Sequence, residues 1–89
     1  MAQPQILNIA DFQNNAPIVA AVLGAAFRRS HIVTEQGYQG RVRVKVIGPE
    51  FNDLPEDEKQ NMVWDVLRRQ LNEGAQAVSF VVVYGDDEL

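Results

Sequence analysis

The residue types that most often carry out chemistry are scarce in this chain. Cysteine is absent and histidine occurs once, as His31, which excludes thiolate catalysis, disulfides and Cys-ligated zinc. A lone histidine is more often a surface or capping residue than a ligand, so His31 is only a weak metal candidate. No Ser/His/Asp set, Walker loop or dinucleotide fingerprint occurs either. We therefore predict no enzymatic activity, no cofactor, no metal site and no evident small-molecule substrate.

A group of carboxylates is the next candidate for chemistry. Its members are Asp53, Glu56, Asp57 and Glu58. Carboxylates at such spacing can serve acid–base catalysis or bind a hard cation. The same residues fit the start of a helix, because Asp53 and Glu56 have the spacing of a capping box and the first turn favours acidic side chains. We adopt this second interpretation.

Basic residues provide the strongest candidate binding surface. Arg41, Arg43 and Lys45 alternate with valines, so in a strand they share one face. The residues expected near this stripe are Arg28, Arg29 and Tyr38. Cationic side chains beside an aromatic ring can hold a single-stranded nucleic acid or an acidic protein surface. A simple solvated strand face is the alternative.

The charges are unevenly distributed along the chain. Twelve acidic and eight basic residues give a net charge of −4, which argues against phosphate-backbone binding by the whole surface. Residues 1–49 carry five basic and two acidic residues, whereas residues 50–89 carry three and ten. A basic half is therefore available to an acidic partner.

Length and composition predict one small globular domain. The 89 residues leave room for a single core, and 46% apolar residues are typical of a folded chain. The longest apolar stretch, residues 16–27, falls short of the roughly 20 residues that span a bilayer. We expect a soluble, cytoplasmic protein without a membrane partner.

The first predicted element is an amphipathic helix that follows an extension over residues 1–14. The domain proper is then 15–89. Asn15 is a suitable N-cap, Pro17 suits the first turn, and the apolar periodicity ends near Arg29. The opposite face of the helix carries Ala20, Ala21, Gly24 and Ala25. We expect the extension to cover these small residues, with a protein partner as the alternative.

A β-hairpin is predicted next. His31 to Gln36 and Arg41 to Ile47 have strand composition, and the segment 37–40 reads Gly-Tyr-Gln-Gly. This spelling also matches the Gly-x-x-Gly loop of nucleic-acid-binding KH domains. In those domains the loop joins two helices, so a hairpin turn is the better interpretation here.

The second half of the chain predicts a long helix and a final strand. The helix buries Val63, Val66, Leu67 and Leu71, and Gly74 is a natural C′ residue. The last strand, Gln76 to Tyr84, is apolar on both faces, which is typical of a central strand. Strict alternation places either Val81 and Val83 or Phe80 and Val82 on the side away from the helices, and we assign Val81 and Val83 to the binding surface.

These elements predict an α+β fold of the two-layer sandwich type. The order is α-β-β-(short α)-α-β, with the short turn near residues 51–54. Two helices suffice to cover one face of a three-stranded mixed sheet. The long helix between the last two strands makes that pair parallel.

The chain resembles the BolA family, whose fold is like that of type II KH domains. The resemblance rests on a phenylalanine after a strand, on a triplet that opens the long helix, and on an apolar step directly after it. In this sequence these are Phe51, then Lys59, Gln60 and Asn61, then Met62, Val63 and Trp64. A later family segment falls on Gln76, Ala77 and Val78, before an acidic tail at residues 86–88. The resemblance covers roughly residues 17–88.

The resemblance implies shared iron–sulfur cluster binding with a monothiol glutaredoxin, and this chain departs from the family at the residues concerned. Both family histidines are glutamines here, Gln60 and Gln76, and an amide is a poor substitute for an imidazole ligand. The departures weaken the glutaredoxin expectation. His31 is then the remaining imidazole.

Three hypotheses of function follow. The first is a noncatalytic BolA-like adaptor or regulator that binds a protein partner, or a second copy of itself, through an open sheet face and the basic hairpin. The second is a KH-like nucleic-acid-binding or transcription-regulatory protein that uses the basic stripe. The third is an iron–sulfur trafficking partner of a glutaredoxin.

Overall fold

The computed structural model describes residues 6–89 and has the order α-β-β-α-β. The elements are α1 (Phe12–Ala26), β1 (His31–Gln36), β2 (Val42–Ile47), α2 (Glu56–Leu71) and β3 (Val78–Tyr84). Short 3₁₀ turns lie at Tyr38–Gly40, Pro49–Phe51, Asn72–Ala77 and Asp86–Glu88. The predicted α+β fold with a three-stranded mixed sheet and two helices is confirmed. Of the predicted extension, residues 1–5 lie outside the described residues.

The sheet has the order β1-β2-β3. β1 and β2 form the predicted antiparallel hairpin, with His31 opposite Ile47 and Gln36 opposite Val42. β2 and β3 are parallel, as the intervening helix requires. The prediction that the last strand is central is wrong, since β3 is an edge and β2 lies in the middle.

A one-residue irregularity explains that error. Val42 lies opposite Val78 but Arg43 lies opposite Phe80, so Ser79 is an extra residue in β3. The bulge reverses the in-and-out alternation, and Val78 and Val81 both become buried. The strand is therefore not apolar on two buried faces. Val78 before the bulge and Val81 after it face the same core.

The core lies between the helices and one face of the sheet. Val42, Val44 and Val46 of β2 are buried together with Leu23 of α1 and Leu67 of α2. Phe51, the last residue of the short turn after β2, is fully buried, and its ring centroid lies 5.0 Å from that of Phe27. This ring pair closes the end of the core where α1 leads into β1.

Helix α1 begins earlier than predicted. Asp11 is the N-cap, and its side chain accepts a hydrogen bond from the Asn14 backbone N–H at 3.4 Å. Asn15 is buried instead, where its Nδ2 donates to the Asn8 carbonyl at 2.6 Å. Pro17 consequently lies inside the helix and not in its first turn. The helix ends at Ala26, before Arg29.

Both predicted caps of the long helix are wrong, although its acidic first turn is confirmed. Helix α2 begins after Pro55, and Asp53 makes no cap because its φ of 61° places it in the left-handed region. At the other end the helix stops at Leu71, and Asn72 adopts the positive φ of 54° that Gly74 was expected to supply. Gly74 is buried beside Ile6, where a Cβ would lie 3.1 Å from the isoleucine Cβ.

The small-residue face of α1 is not covered by the segment 6–11. That segment runs past Gly74 and Gly40 instead. Ala21 and Ala25 remain exposed and line a shallow groove of about 480 Å³ against Val66 of α2. The expected packing of the extension on this face is therefore wrong for its described part. Neither helix within residues 6–89 has the length and apolar content that a bilayer crossing needs.

Two phenylalanines of opposite burial provide a test of this core. Phe51→Ala removes a fully buried ring and should lower the free energy of unfolding by about 3–5 kcal/mol. Phe80→Ala removes a ring that is 51% exposed and should lower it by less than about 1 kcal/mol. Urea denaturation followed by circular dichroism measures both. Equal losses would contradict the assignment of the two faces.

Candidate functional site

The sheet face turned away from the helices is the candidate site, and we call it the open face. It consists of His31, Val33 and Glu35 from β1, Arg43, Lys45 and Ile47 from β2, and Phe80, Val82 and Tyr84 from β3. Directly opposed residues of neighbouring strands point to the same side of a sheet. The nine side chains thus form three rows of three, centred on Lys45.

The open face combines five apolar side chains with two cations, one carboxylate and one imidazole. The central row is Val33, Lys45 and Val82, and the row nearest the hairpin loop is Glu35, Arg43 and Phe80. Val33 is 43% exposed and Phe80 is 51% exposed. Side chains of this kind are normally buried, so their exposure on one continuous surface is a feature that function must explain.

The structure corrects the assignment of two predicted binding residues. Val81 and Val83 are buried on the helix side, so they cannot contact a partner. The bulge at Ser79 sets this side, and it brings Phe80 and Val82 to the open face. Strict alternation offered these two pairs as the alternatives, and the second is observed.

The predicted basic stripe is reduced from three members to two. Arg43 and Lys45 are exposed on the open face, and the Arg43 guanidinium lies over the Phe80 ring, 5.6 Å from its centroid. Arg41 precedes β2, and its Nε and Nη2 both donate to the Gln76 carbonyl. Its guanidinium therefore holds the turn before β3.

Tyr38 extends the open face at the hairpin loop. Its side chain is 72% exposed and lines, with Arg43 and Phe80, a shallow hollow of about 590 Å³. Gly37 makes the hollow possible, because a Cβ there would lie 2.6 Å from the Arg43 Cγ. The loop thus places an aromatic ring next to the cation and ring of the neighbouring row.

Arg28 and Arg29 do not join this cluster. They lie in the turn between α1 and β1, whereas Tyr38 lies beyond the other end of β1. The strand between them is about 17 Å long, so Arg28 and Arg29 lie at the opposite end of the basic stripe from Tyr38. The Arg29 backbone N–H is used locally, since it donates to Glu50 Oε2 at 3.0 Å.

Glu50 stabilises the turn that contains Arg29 through hydrogen bonds. Its carboxylate also accepts from Ser30 Oγ at 2.6 Å. Burial acts to raise the pKa of Glu50, but the hydrogen bonds from Ser30 and from the Arg29 backbone outweigh it and hold the pKa below its usual range. The start of β1, and with it His31, is thereby fixed to the segment after β2.

Seven of the nine open-face residues were not among the predicted binding residues: His31, Val33, Glu35, Ile47, Phe80, Val82 and Tyr84. Val33 and Ile47 lie in strands whose alternation is regular, so the period-two pattern around His31 and Lys45 could have found them. Tyr84 could not be assigned to a face, because its side depends on the bulge five residues earlier.

Gln60 links the long helix to the edge of the sheet. Its Nε2 donates to the Val81 carbonyl at 2.8 Å, and its Oε1 accepts from Trp64 Nε1 at 3.2 Å. The indole N–H can only donate and the carbonyl can only accept, so the amide has one orientation that satisfies both. Gln60 therefore has a defined structural role at the position where the family resemblance expects a histidine.

The other residues at family-motif positions are dispersed. Phe51 is in the core, Asn61 faces solvent on α2, and Gln76 is exposed with its carbonyl held by Arg41. Lys59 is buried, with only 3% of its side chain accessible. The structure does not gather these positions into one site.

Lys59 is buried because two carboxylates accompany it. Its Nζ lies 2.5 Å from Glu88 Oε1 and 3.1 Å from Glu56 Oε2. The same Glu88 oxygen accepts from the Gly85 backbone N–H at 2.9 Å. The hydrogen bond from Lys59 lowers the pKa of Glu88, and the hydrogen bond to Glu88 raises the pKa of Lys59. The acidic tail is thereby fastened to the start of α2.

The predicted acidic cluster has no arrangement that would hold a metal ion. Within residues 6–89, no three His, Asp or Glu side chains come together in such a group. His31 is exposed at the first position of β1.

Comparisons of the chain with protein-family models, with curated proteins and with solved structures find no match.

The Lys59–Glu88 pair predicts a pH-dependent stability. Because the pKa of Glu88 is lowered on folding, its contribution is present above the unfolded value of 4.5 and is lost as the pH falls through the lower folded value. Glu88→Gln should therefore reduce the unfolding free energy at pH 7 and have progressively less effect below pH 4.5. Urea titrations at several pH values measure this. Glu73→Gln is the control, and a loss independent of pH would argue against the pair.

Gln60 generates a second pH-dependent prediction. In Gln60→Glu the ionised carboxylate can accept from Trp64 but cannot donate to the Val81 carbonyl, which should cost about 1–3 kcal/mol at pH 7. Protonation restores a donor, so the penalty should shrink as the pH falls. Gln70→Glu, an exposed change on the same helix, controls for the added charge. A penalty that stays constant with pH would contradict the hydrogen-bond assignment.

Proposed function

We propose that this chain is a noncatalytic interaction module, an adaptor or regulator, that binds a protein partner through the open face and the adjoining hairpin loop. The observation that carries the proposal is the open face itself. Its three rows combine exposed apolar side chains with two cations, Arg43 and Lys45. An arrangement of this character is typical of a protein-binding surface.

The composition of the open face supports a protein partner over simple solvation. A solvated strand face carries short polar side chains, whereas this one carries Val33, Phe80, Val82 and Tyr84. Burying their accessible apolar surface against a partner is favourable at about 25 cal/mol per Å². Arginine and aromatic residues are also the types most enriched among interface hot spots, and Arg43 and Phe80 are adjacent here.

We further propose that the domain is a divergent BolA-like module with the two-layer arrangement of type II KH domains. The order α-β-β-α-β, the antiparallel first strand pair and the parallel second pair support it. The short 3₁₀ turn at Pro49–Phe51 stands where that order requires a short helix. An adaptor role without a catalytic site, in the cytoplasm, is consistent with this architecture.

A second candidate function, binding of single-stranded nucleic acid, is favoured by the hollow at the hairpin loop. Tyr38, Arg41, Arg43 and Phe80 line it, and rings beside cations can stack bases and attract phosphates. Arg41 is engaged by the Gln76 carbonyl and the chain carries a net charge of −4. The protein partner is therefore the function that the geometry supports best.

Iron–sulfur trafficking with a glutaredoxin receives less support. Gln60 stands at the histidine position, and both of its polar atoms are engaged by Val81 and Trp64. The remaining imidazole, His31, lies at one end of the open face and far along the chain from Gln76. This function would need a ligand set that the family positions do not supply.

Site-specific cross-linking tests the proposed function. A photoreactive amino acid at position 82 should capture a protein that mass spectrometry identifies, and the same group at position 70 of α2 should not. The purified pair should then bind, and Phe80→Asp should weaken it at least tenfold because Phe80 lies in the contact surface. Circular dichroism verifies that the variant is folded. Unchanged affinity of the purified pair for a folded Phe80→Asp would overturn the proposal.

A further inference from the structure

We infer that the element of the partner that covers the open face is an acidic amphipathic α-helix, lying nearly parallel to the strands with its carboxylates over Arg43 and Lys45. The inference rests on the proposed function and makes it specific. It follows from the width of the face, from the charges at its centre and from the spacing of those charges.

The width of the open face fits one helix. Three strands about 4.8 Å apart give a face about 10 Å across, which matches the diameter of about 10 Å of a helix with its side chains. The strands are six or seven residues long, or about 20 Å, which corresponds to about four turns of helix. A partner helix of that length would cover all three rows and leave no strand exposed.

The positive charges at the centre of the open face favour a partner with negative charge. Lys45 occupies the middle position, and Arg43 is its neighbour on the same strand. Within residues 6–89 the ion pairs are those of Lys59 with Glu56 and Glu88, so Lys45 has no carboxylate partner there, and Glu35, although it lies opposite Arg43, forms no ion pair with it. Burying an unpaired cation under an apolar surface is strongly unfavourable. An occupant must therefore bring carboxylates to the middle of its contact surface.

The spacing of the cations matches a helix repeat. Arg43 and Lys45 are two residues apart on a strand, which separates their Cα atoms by about 6.7 Å. Residues i and i+4 of a helix are about 6 Å apart along its axis and lie on nearly the same face. Glutamates at i and i+4 can thus meet the two cations together. Apolar residues on either side of them would contact Val33 across one flank, and Phe80 and Val82 across the other.

The same central position argues against a second copy of this chain as the occupant. A symmetric dimer that stacks two open faces places the twofold axis near the centre of the face, where Lys45 would meet Lys45 of the other copy. Like charges directly across an interface are destabilising, whereas an acidic helix provides the opposite charge.

A charge-swap experiment with the full-length chain tests the inference. The probe is an 18-residue helical peptide with glutamates at i and i+4 and leucines at i+1, i+3, i+7 and i+8, and its counterpart carries lysines in place of the two glutamates. The wild-type protein should bind the glutamate peptide at least tenfold more tightly than the lysine peptide. Lys45→Glu should reverse that preference. Arg69→Glu, an exposed change of equal charge on α2, should leave it unchanged.

The location of binding is read from amide chemical shifts in ¹⁵N-labelled protein. Shifts along β2 and on the residues of the open face support the inference, and shifts confined to the groove between α1 and α2 overturn it. Equal affinity for the two peptides, or binding to neither, also overturns it. So does a single-stranded oligonucleotide that binds the open face more tightly than the glutamate peptide, or a dimer in sedimentation that Phe80→Asp abolishes.

The results distinguish failure of this inference from failure of the proposed function on which it rests. If the peptides do not bind with the expected preference but binding of the cross-linked partner still requires Phe80, then the partner binds the open face through another element. In that case only the helical, acidic character of the partner element is refuted. If the affinity of the cross-linked partner is also unchanged by Phe80→Asp, then the open face is not the interface and both proposals are refuted.

Discussion

The one-residue bulge at Ser79 is the constraint on which the two faces of this domain depend. Before it, Val78 is directed into the core, and after it Val81 and Val83 are. The Ser79 hydroxyl lies 3.5 Å from the Val42 carbonyl, next to the position where the register shifts. Without the extra residue, the strand would keep strict alternation and Phe80 would join the side of Val78. The bulge thus both completes the core and supplies the aromatic ring of the open face.

The chemical identity of the open face follows from the pairing of three strands with different patterns. β2 alternates valine with cations, β1 contributes Val33 between two polar residues, and β3 contributes rings and a valine. Only their register turns these separate patterns into a surface with charge at the centre and apolar groups beside it. The hydrophobic effect would normally drive such groups inward. The two helices are fully used in covering the other face, which accounts for the exposure of this one.

The sequence predicted the elements whose signals are periodic and local. The register of β1 and β2 follows from regular alternation and a Gly-flanked loop, and α2 from its apolar stripe and acidic first turn. Cap residues were harder, because Asn15 is as good a cap as Asp11 in isolation and only the contact with Asn8 decides. The bulge and the engagement of Arg41 with the Gln76 carbonyl are tertiary contacts between distant segments. No local pattern records them, and they determine which residues of the site are accessible.

A sheet can bind a partner at its edges or on its faces, and in this domain the two differ in accessibility. An edge strand offers free backbone groups to any other strand. On β3 the Val81 carbonyl is occupied by Gln60, whose orientation Trp64 fixes in turn, so α2 partly closes that edge. The open face has no comparable protection among residues 6–89, since Phe80, Val33 and Lys45 are all accessible. A sheet that partly closes one edge while exposing side chains on its face is suited to recognition by side-chain chemistry. Recognition of that kind distinguishes one partner from another, which is what the proposed adaptor role requires.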